Sequence, residues 1–312
     1  MRLPGGRFVF SVATMVLPMI LAGLCRQASG DASGASERVT AADLLRNLDS
    51  ARSLGEYQRI NQAMERLPKS ARGELMRYVD NKGKNGRKRF MALRAVFQLS
   101  SSETAAGEAC RVFSRDADRE FRMNCAIFMG EYGGEQIRRT LRGVLHSSGG
   151  DPGVQLAAAA GLAKMGDDSG KERALKAVLD SEPALDIGIV ALEALKARDV
   201  VTPLRLRMTG SSEYRSKNAC RLAILRIELA SAGTDRGTGL LQDALMEDGY
   251  PEAREWAGMK LGETGGKAAM QVLTRVAGDP KAPGRREAAN GLILGAERGH
   301  WRRSEAGKWL EQ

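Results

Sequence analysis

A short pattern returns along this chain at nearly constant intervals, and nothing else in the sequence limits its fold as strongly. Phe121-Arg122-Met123-Asn124-Cys125-Ala126-Ile127-Phe128-Met129-Gly130 reads apolar, Arg, two variable, two small, two more, apolar, Gly. Ala253-Arg254-Glu255-Trp256-Ala257-Gly258-Met259-Lys260-Leu261-Gly262 has the same reading. Looser copies end at Met165-Gly166 and Leu294-Gly295, and an earlier one carries Phe97 in place of the Gly. The landmarks 97, 130, 166, 262 and 295 stand 33, 36, 96 and 33 apart, and the gap of 96 holds three units of 32. Two degenerate copies fill that gap, around Val190–Leu195 and Ala219–Ala223.

Each unit reads as two helices. The first carries paired small residues that let a neighbouring backbone approach, and Gly is expected to close it, a second Gly often following (Gly133-Gly134, Gly265-Gly266). The second is amphipathic, with Ile137, Leu141, Val144 and Leu145 on one face and Ala174, Leu175, Val178 and Leu179 repeating that logic. One hairpin cannot bury its apolar face alone, so stacked neighbours must supply the core. Aromatic residues make up only 5% of the chain, which suits close helix–helix contact better than a sandwich of β-branched and aromatic side chains.

The pattern Arg-x-x-Ala-Ala-x-x-Leu-Gly followed by a short second helix resembles the HEAT-like repeats first described in phycobilin lyases. The resemblance covers about residues 86–299 and implies an all-α solenoid, a right-handed superhelix of helical hairpins. Proteins with such repeats include binding scaffolds, lyases and DNA-repair glycosylases, so the resemblance fixes little about function.

The two ends differ from this array. Residues 37–85 read as a helical cap or atypical repeats. Thr40-Ala41-Ala42-Asp43 resembles a capping box ahead of Leu44, Leu45 and Leu48, while Ile60, Met64 and Leu67 precede Pro68, and Leu75, Met76 and Val79 follow. Residues 300–312 read as a last helix with Trp309 covering the final core. Residues 1–30 combine Arg2 and Arg7, an uncharged run from Phe8 to Leu24 and the small residues Ala28-Ser29-Gly30, the three parts of a secretory signal peptide, with residues 31–36 as a linker. Cleavage is expected after Gly30, with Gly34 as second choice. An uncleaved anchor is the alternative, since the run approaches spanning length. Lipidation at Cys25 is a third, disfavoured because Leu24 stands where a small residue is needed.

Chemistry is sparse. His146 and His300 are the only two histidines, and each reads as a solvated surface residue. Asp167-Asp168 and Glu247-Asp248 fall at helix ends, where acids meet exposed amides. Gly149-Gly150 and Gly233–Gly239 lack the Lys-Ser/Thr of a phosphate loop. Cys110, Cys125 and Cys220 show no metal-binding spacing; a Cys110–Cys125 bridge is conceivable in an oxidising compartment. The sequence therefore calls for no catalytic residue, cofactor or metal.

The basic content points outward. The chain carries a net charge of +10, three of these charges lying within residues 1–30. Lys82, Lys84, Arg87, Lys88 and Arg89 cluster before the first clear repeat. The second helices carry Arg111, Arg115, Arg138, Arg142, Arg173, Lys176 and Arg205, which are expected to form a surface for an anionic partner, because second helices line the concave side in solenoids of this resemblance. The expected function is a non-catalytic protein-interaction scaffold in the bacterial envelope or outside the cell, with an acidic protein as partner. Nucleic acid is not expected, and membrane contact only through the N-terminal segment. A HEAT-like lyase or glycosylase and a lipid-anchored structural module remain the alternatives.

Overall fold

A computed structural model of the chain describes residues 40–100, 102–180, 184–196 and 198–301. The expected signal segment, its linker, Cys25 and Trp309 lie outside the described residues.

Within the described residues every regular element is helical. The N-terminal part forms α1 (Ala41–Ser50), α2 (Leu54–Met64) and α3 (Arg72–Asp80). Then follow α4 (Gly86–Leu99), α5 (Ser102–Arg115), α6 (Arg119–Tyr132), α7 (Glu135–Leu145), α8 (Pro152–Lys164) and α9 (Lys171–Asp180). The remainder is α10 (Leu185–Leu195), α11 (Val201–Gly210), α12 (Tyr214–Ala230), α13 (Thr234–Glu247), α14 (Pro251–Thr264), α15 (Gly266–Gly278) and α16 (Arg285–Glu297). First helices of successive hairpins begin at 54, 86, 119, 152 and 185, a step of 32 or 33. The next begin at 214, 251 and 285, because α12 starts about one turn early and α14 restores the phase. The repeat thus reaches back to α2, into the segment whose sequence departs from the motif.

The helices divide between two compact units. One takes the described residues up to 177 together with 186–195; the other takes 178–185 and those from 196 on. In the first unit α2 packs on α4, α4 on α6 and α6 on α8, while α1 packs on α3 and α5 on α7. In the second, α12 packs on α14, α14 on α16 and α13 on α15. First helices therefore stack on first helices and second on second, the arrangement of an α-solenoid.

Polar side chains start the first helices of the first unit at the repeat's own period. Ser53, Asn85, Asp118 and Asp151 each accept backbone N–H bonds at the N-cap, and Ser53 completes a capping box with Glu56. Thr40 and Asp43 form the expected box ahead of α1.

The landmark glycines correct one expectation. Gly130, Gly262 and Gly295 lie buried inside α6, α14 and α16 and end nothing. The helices instead stop at Gly133 (φ 70°) and Gly265 (φ 68°), where a left-handed residue is required. The internal glycines serve the crossings. A Cβ on Gly130 would strike the Gly161 carbonyl, one on Gly161 the Ala126 carbonyl, and one on Gly258 the Glu287 carbonyl. Gly166 does lie outside its helix, at φ 74°, so the landmarks mix two kinds of position and their spacing scatters.

Ile137, Leu141 and Leu145 are buried as the amphipathic pattern requires, whereas Leu179 is 41% exposed. Cys110, Cys125 and Cys220 are buried free thiols, so no Cys110–Cys125 bridge exists. At the end of the second unit Trp301 is buried against Gly295, and its Nε1–H donates to the Leu292 carbonyl at 2.9 Å.

Candidate interaction surface

The second helices of the first unit carry six of the seven expected surface cations. Arg111 on α5 lies 3.4 Å from Asp80 on α3. Arg142 on α7 donates to Asp167 at 2.8 Å, and Arg138 reaches Glu135 at 3.1 Å and Asp167 at 3.8 Å. Arg173 on α9 donates to the Gln155 side chain of α8 at 2.6 Å. Arg115 and Lys176 are exposed and have no such partner among the described residues. Arg205 belongs to the second unit, where it pairs with Glu228 at 2.9 Å. Five of the seven thus cross-link helices or tie down their own turn. A partner carboxylate competes with acids already in place at four of these, and with the Gln155 amide at Arg173.

The basic run before the array is consumed internally. Lys82 pairs with Asp116, Lys84 donates to Asp49 at 2.5 Å, Lys88 donates to the Asp49 carbonyl at 2.6 Å, and Arg87 stacks 5.6 Å over Tyr57. Arg89 is the most deeply placed. Its Nε donates to the Val79 carbonyl at 2.7 Å and its Nη groups to Asp116, and both side chains of that ion pair are 1% exposed.

This pair is one rung of a ladder that sequence reading missed. Arg221 on α12 donates to Asp248 at 2.5 Å, with the same separation of 27 residues as Arg89 and Asp116. The fourth residue of a first helix, or the eighth in the early-starting α12, reaches the loop that leads into the next first helix. Gln155 and Arg254 occupy the fourth place in α8 and α14 and bond back to the Ser147 and Asp248 carbonyls, each at 2.7 Å. In α6 the rung is broken: Arg122 stacks 5.2 Å over Phe113, Gly149 stands where the acid would be, and Arg122 Nε is buried without an acceptor. An Arg at a fixed place in the first helix, with an Asp at that same separation beyond it, was the available signal.

Electrostatics follow the pairing. Burial alone would raise the Asp116 carboxyl, but bonds from Arg89, Lys82 and the Asp118 amide outweigh it and bring it to about 2. Asp167 is lowered in the same way, burial being outweighed by Ser169 and Arg142. Burial pushes the Cys220 thiol up to about 11, far from a reactive thiolate. His146 is exposed, and His300 packs its ring over Gly265 with Nε2 3.1 Å from the Glu263 carbonyl. Among the described residues no group of three or more His, Cys, Asp or Glu side chains could hold a metal ion, and no helix is long and apolar enough to cross a membrane.

No protein-family profile matches the chain, and no curated protein matches it. Among solved structures it is similar to human deoxyhypusine hydroxylase in complex with glycerol, at 18% identity and a TM-score of 0.34 over 78% of this chain and 96% of that one. It is also similar to the complex of CpcE and CpcF of phycocyanin lyase from Nostoc sp. PCC7120, at 17% identity and a TM-score of 0.37 over 86% of this chain and 92% of that one.

Proposed function

We propose that this chain is a non-catalytic protein-interaction scaffold, exported to the bacterial envelope or beyond it, that meets an acidic protein on the second-helix face of its first unit. The observation that carries the reading is the cationic surplus of α7, where Arg138, Arg139 and Arg142 share the two acids Glu135 and Asp167. Arg139 is 78% exposed and no nearer than 3.5 Å to Glu135, and Arg115 on α5 and Lys176 on α9 are exposed as well. Charges on such a rim steer association and set its salt dependence more than its final affinity.

The test reverses the cations that brace least of the fold, in Arg115→Glu/Arg139→Glu/Lys176→Glu. In affinity capture from the native organism, an acidic protein held by the unaltered chain is expected to be lost by the variant at an unchanged thermal midpoint. Equal retention by both sinks the surface. Mass spectrometry of the mature N-terminus tests the export: a chain beginning at Asp31 or Ala35 supports it, and an intact Met1 in the cytosol overturns it.

A further inference from the structure

We propose that the Arg94 guanidinium, on the first-helix side of the first unit, is a docking point for a carboxylate borne by a peptide segment of a protein partner. Arg94 lies on α4 and stacks 5.5 Å over the ring of Phe128 on α6. That ring is held from three sides, by Phe90 at 5.5 Å, Phe97 at 5.1 Å and Tyr132 at 5.0 Å. The shelf under the cation is therefore fixed before anything binds.

The cation on this shelf has no anion of its own. Arg94 Nη1 is sealed from solvent with no hydrogen-bond partner, and the side chain makes no ion pair among the described residues. Four other cations on the first helices of this unit are met: Lys88 by the Asp49 carbonyl, Arg89 by Asp116, Arg119 by Asp151 and Lys164 by Glu131. Arg122 shares the lack, but there the ladder accounts for it, since Gly149 replaces the acid.

The repeat does not fix a cation at this place. The ninth residue of a first helix is Ile127 in α6, Ala160 in α8, Met259 in α14 and Ile293 in α16. Gln62 and Glu193 take the place in α2 and α10, and neither is a cation. In the second unit Arg226, at the equivalent turn of α12, also stacks on the next first helix, 5.4 Å over Trp256.

With one face on a ring and Nη1 sealed, the edge left to a ligand is Nε with Nη2, a side-on fork that matches the two oxygens of a carboxylate. Tyr132, 37% exposed, rims the shelf and offers apolar contact to the carbons behind the carboxylate. A single half-buried cation balances one negative charge, which favours a carboxylate over a phosphate dianion.

The test follows arginine Nε–H signals of the full chain by NMR, Arg94 being assigned as the signal missing from Arg94→Lys. The probe is a blocked tetrapeptide alternating leucine and glutamate. It is expected to move the Arg94 signal saturably, while the glutamine counterpart does not. Arg94→Lys, which keeps the charge but loses the fork, should bind about tenfold more weakly. Arg94→Met, which copies α14, should fold and not bind. No saturable movement with the acidic peptide, equal movement with the glutamine peptide, movement with inorganic phosphate alone, or unchanged binding by Arg94→Lys would each overturn the proposal. The reversal of Arg115, Arg139 and Lys176 should leave this signal's response intact, so the two surfaces fail separately.

Discussion

At the scale of single residues, the arginines of the repeat separate into structural and free ones, and position in the hairpin decides which. Arg89 has no water to fall back on: with Asp116 removed, a charge remains in the core. Asp116→Asn is therefore expected to destabilise the first unit by about 3–5 kcal/mol, read as a lower urea midpoint. The pair also sets an acid limit. Because the folded Asp116 carboxyl titrates near 2 against an ordinary value of 3.8, its contribution is complete above the ordinary value and is lost as pH falls through about 2. Urea midpoints of the unaltered chain should thus fall between about pH 4 and pH 2, and this portion of the fall should be absent from Asp116→Asn. The bare spacing of Arg and Asp records none of this, because a solvated Arg and a buried one look the same in sequence. Arg94 was equally opaque. It sits in an apolar stretch of α4, and only the ring of Phe128, from another hairpin, shows what holds it.

At the scale of the element, the helices obey rules visible in the chain, and glycine shows where those rules stop. Thr40 and Asp43 announce the first cap correctly, and Ile137, Leu141 and Leu145 announce the buried face of α7. Gly130 and Gly262 look like stops in the sequence, yet they are contacts. Glycine removes a Cβ in either role, and only a neighbouring helix distinguishes the two. Two substitutions separate them. Gly161→Ala forces its methyl into the Ala126 carbonyl of α6 and should lower stability by about 1–3 kcal/mol. Gly143→Ala, with nothing within 4 Å of its Cβ on exposed α7, should raise stability by about 0.5–1 kcal/mol. Thermal unfolding of the two variants should therefore shift in opposite directions.

At the scale of the whole molecule, the chain forms two compact units, and repeat energetics are summed between neighbours. A fault in one unit is expected to be felt mainly there. Gly291→Ala drives a methyl toward the Gly258 carbonyl, and by hydrogen exchange it should deprotect the amides of α14 and α16 while leaving those of α6 and α8 unchanged. Equal loss in both units would mean that they unfold as one. The sequence by itself determined the helical class, the two-helix unit and a period near 33 residues, because small and apolar residues recur at positions set by the backbone's own geometry. It also carried the caps, which are bonds between near neighbours in the chain. The tertiary structure alone decided which glycines are crossings, which arginines are buried, that Leu179 is exposed and that α2 already stands in the array. Those outcomes depend on atoms a whole repeat away in the chain, brought together by stacking, and no local pattern encodes which neighbour will arrive.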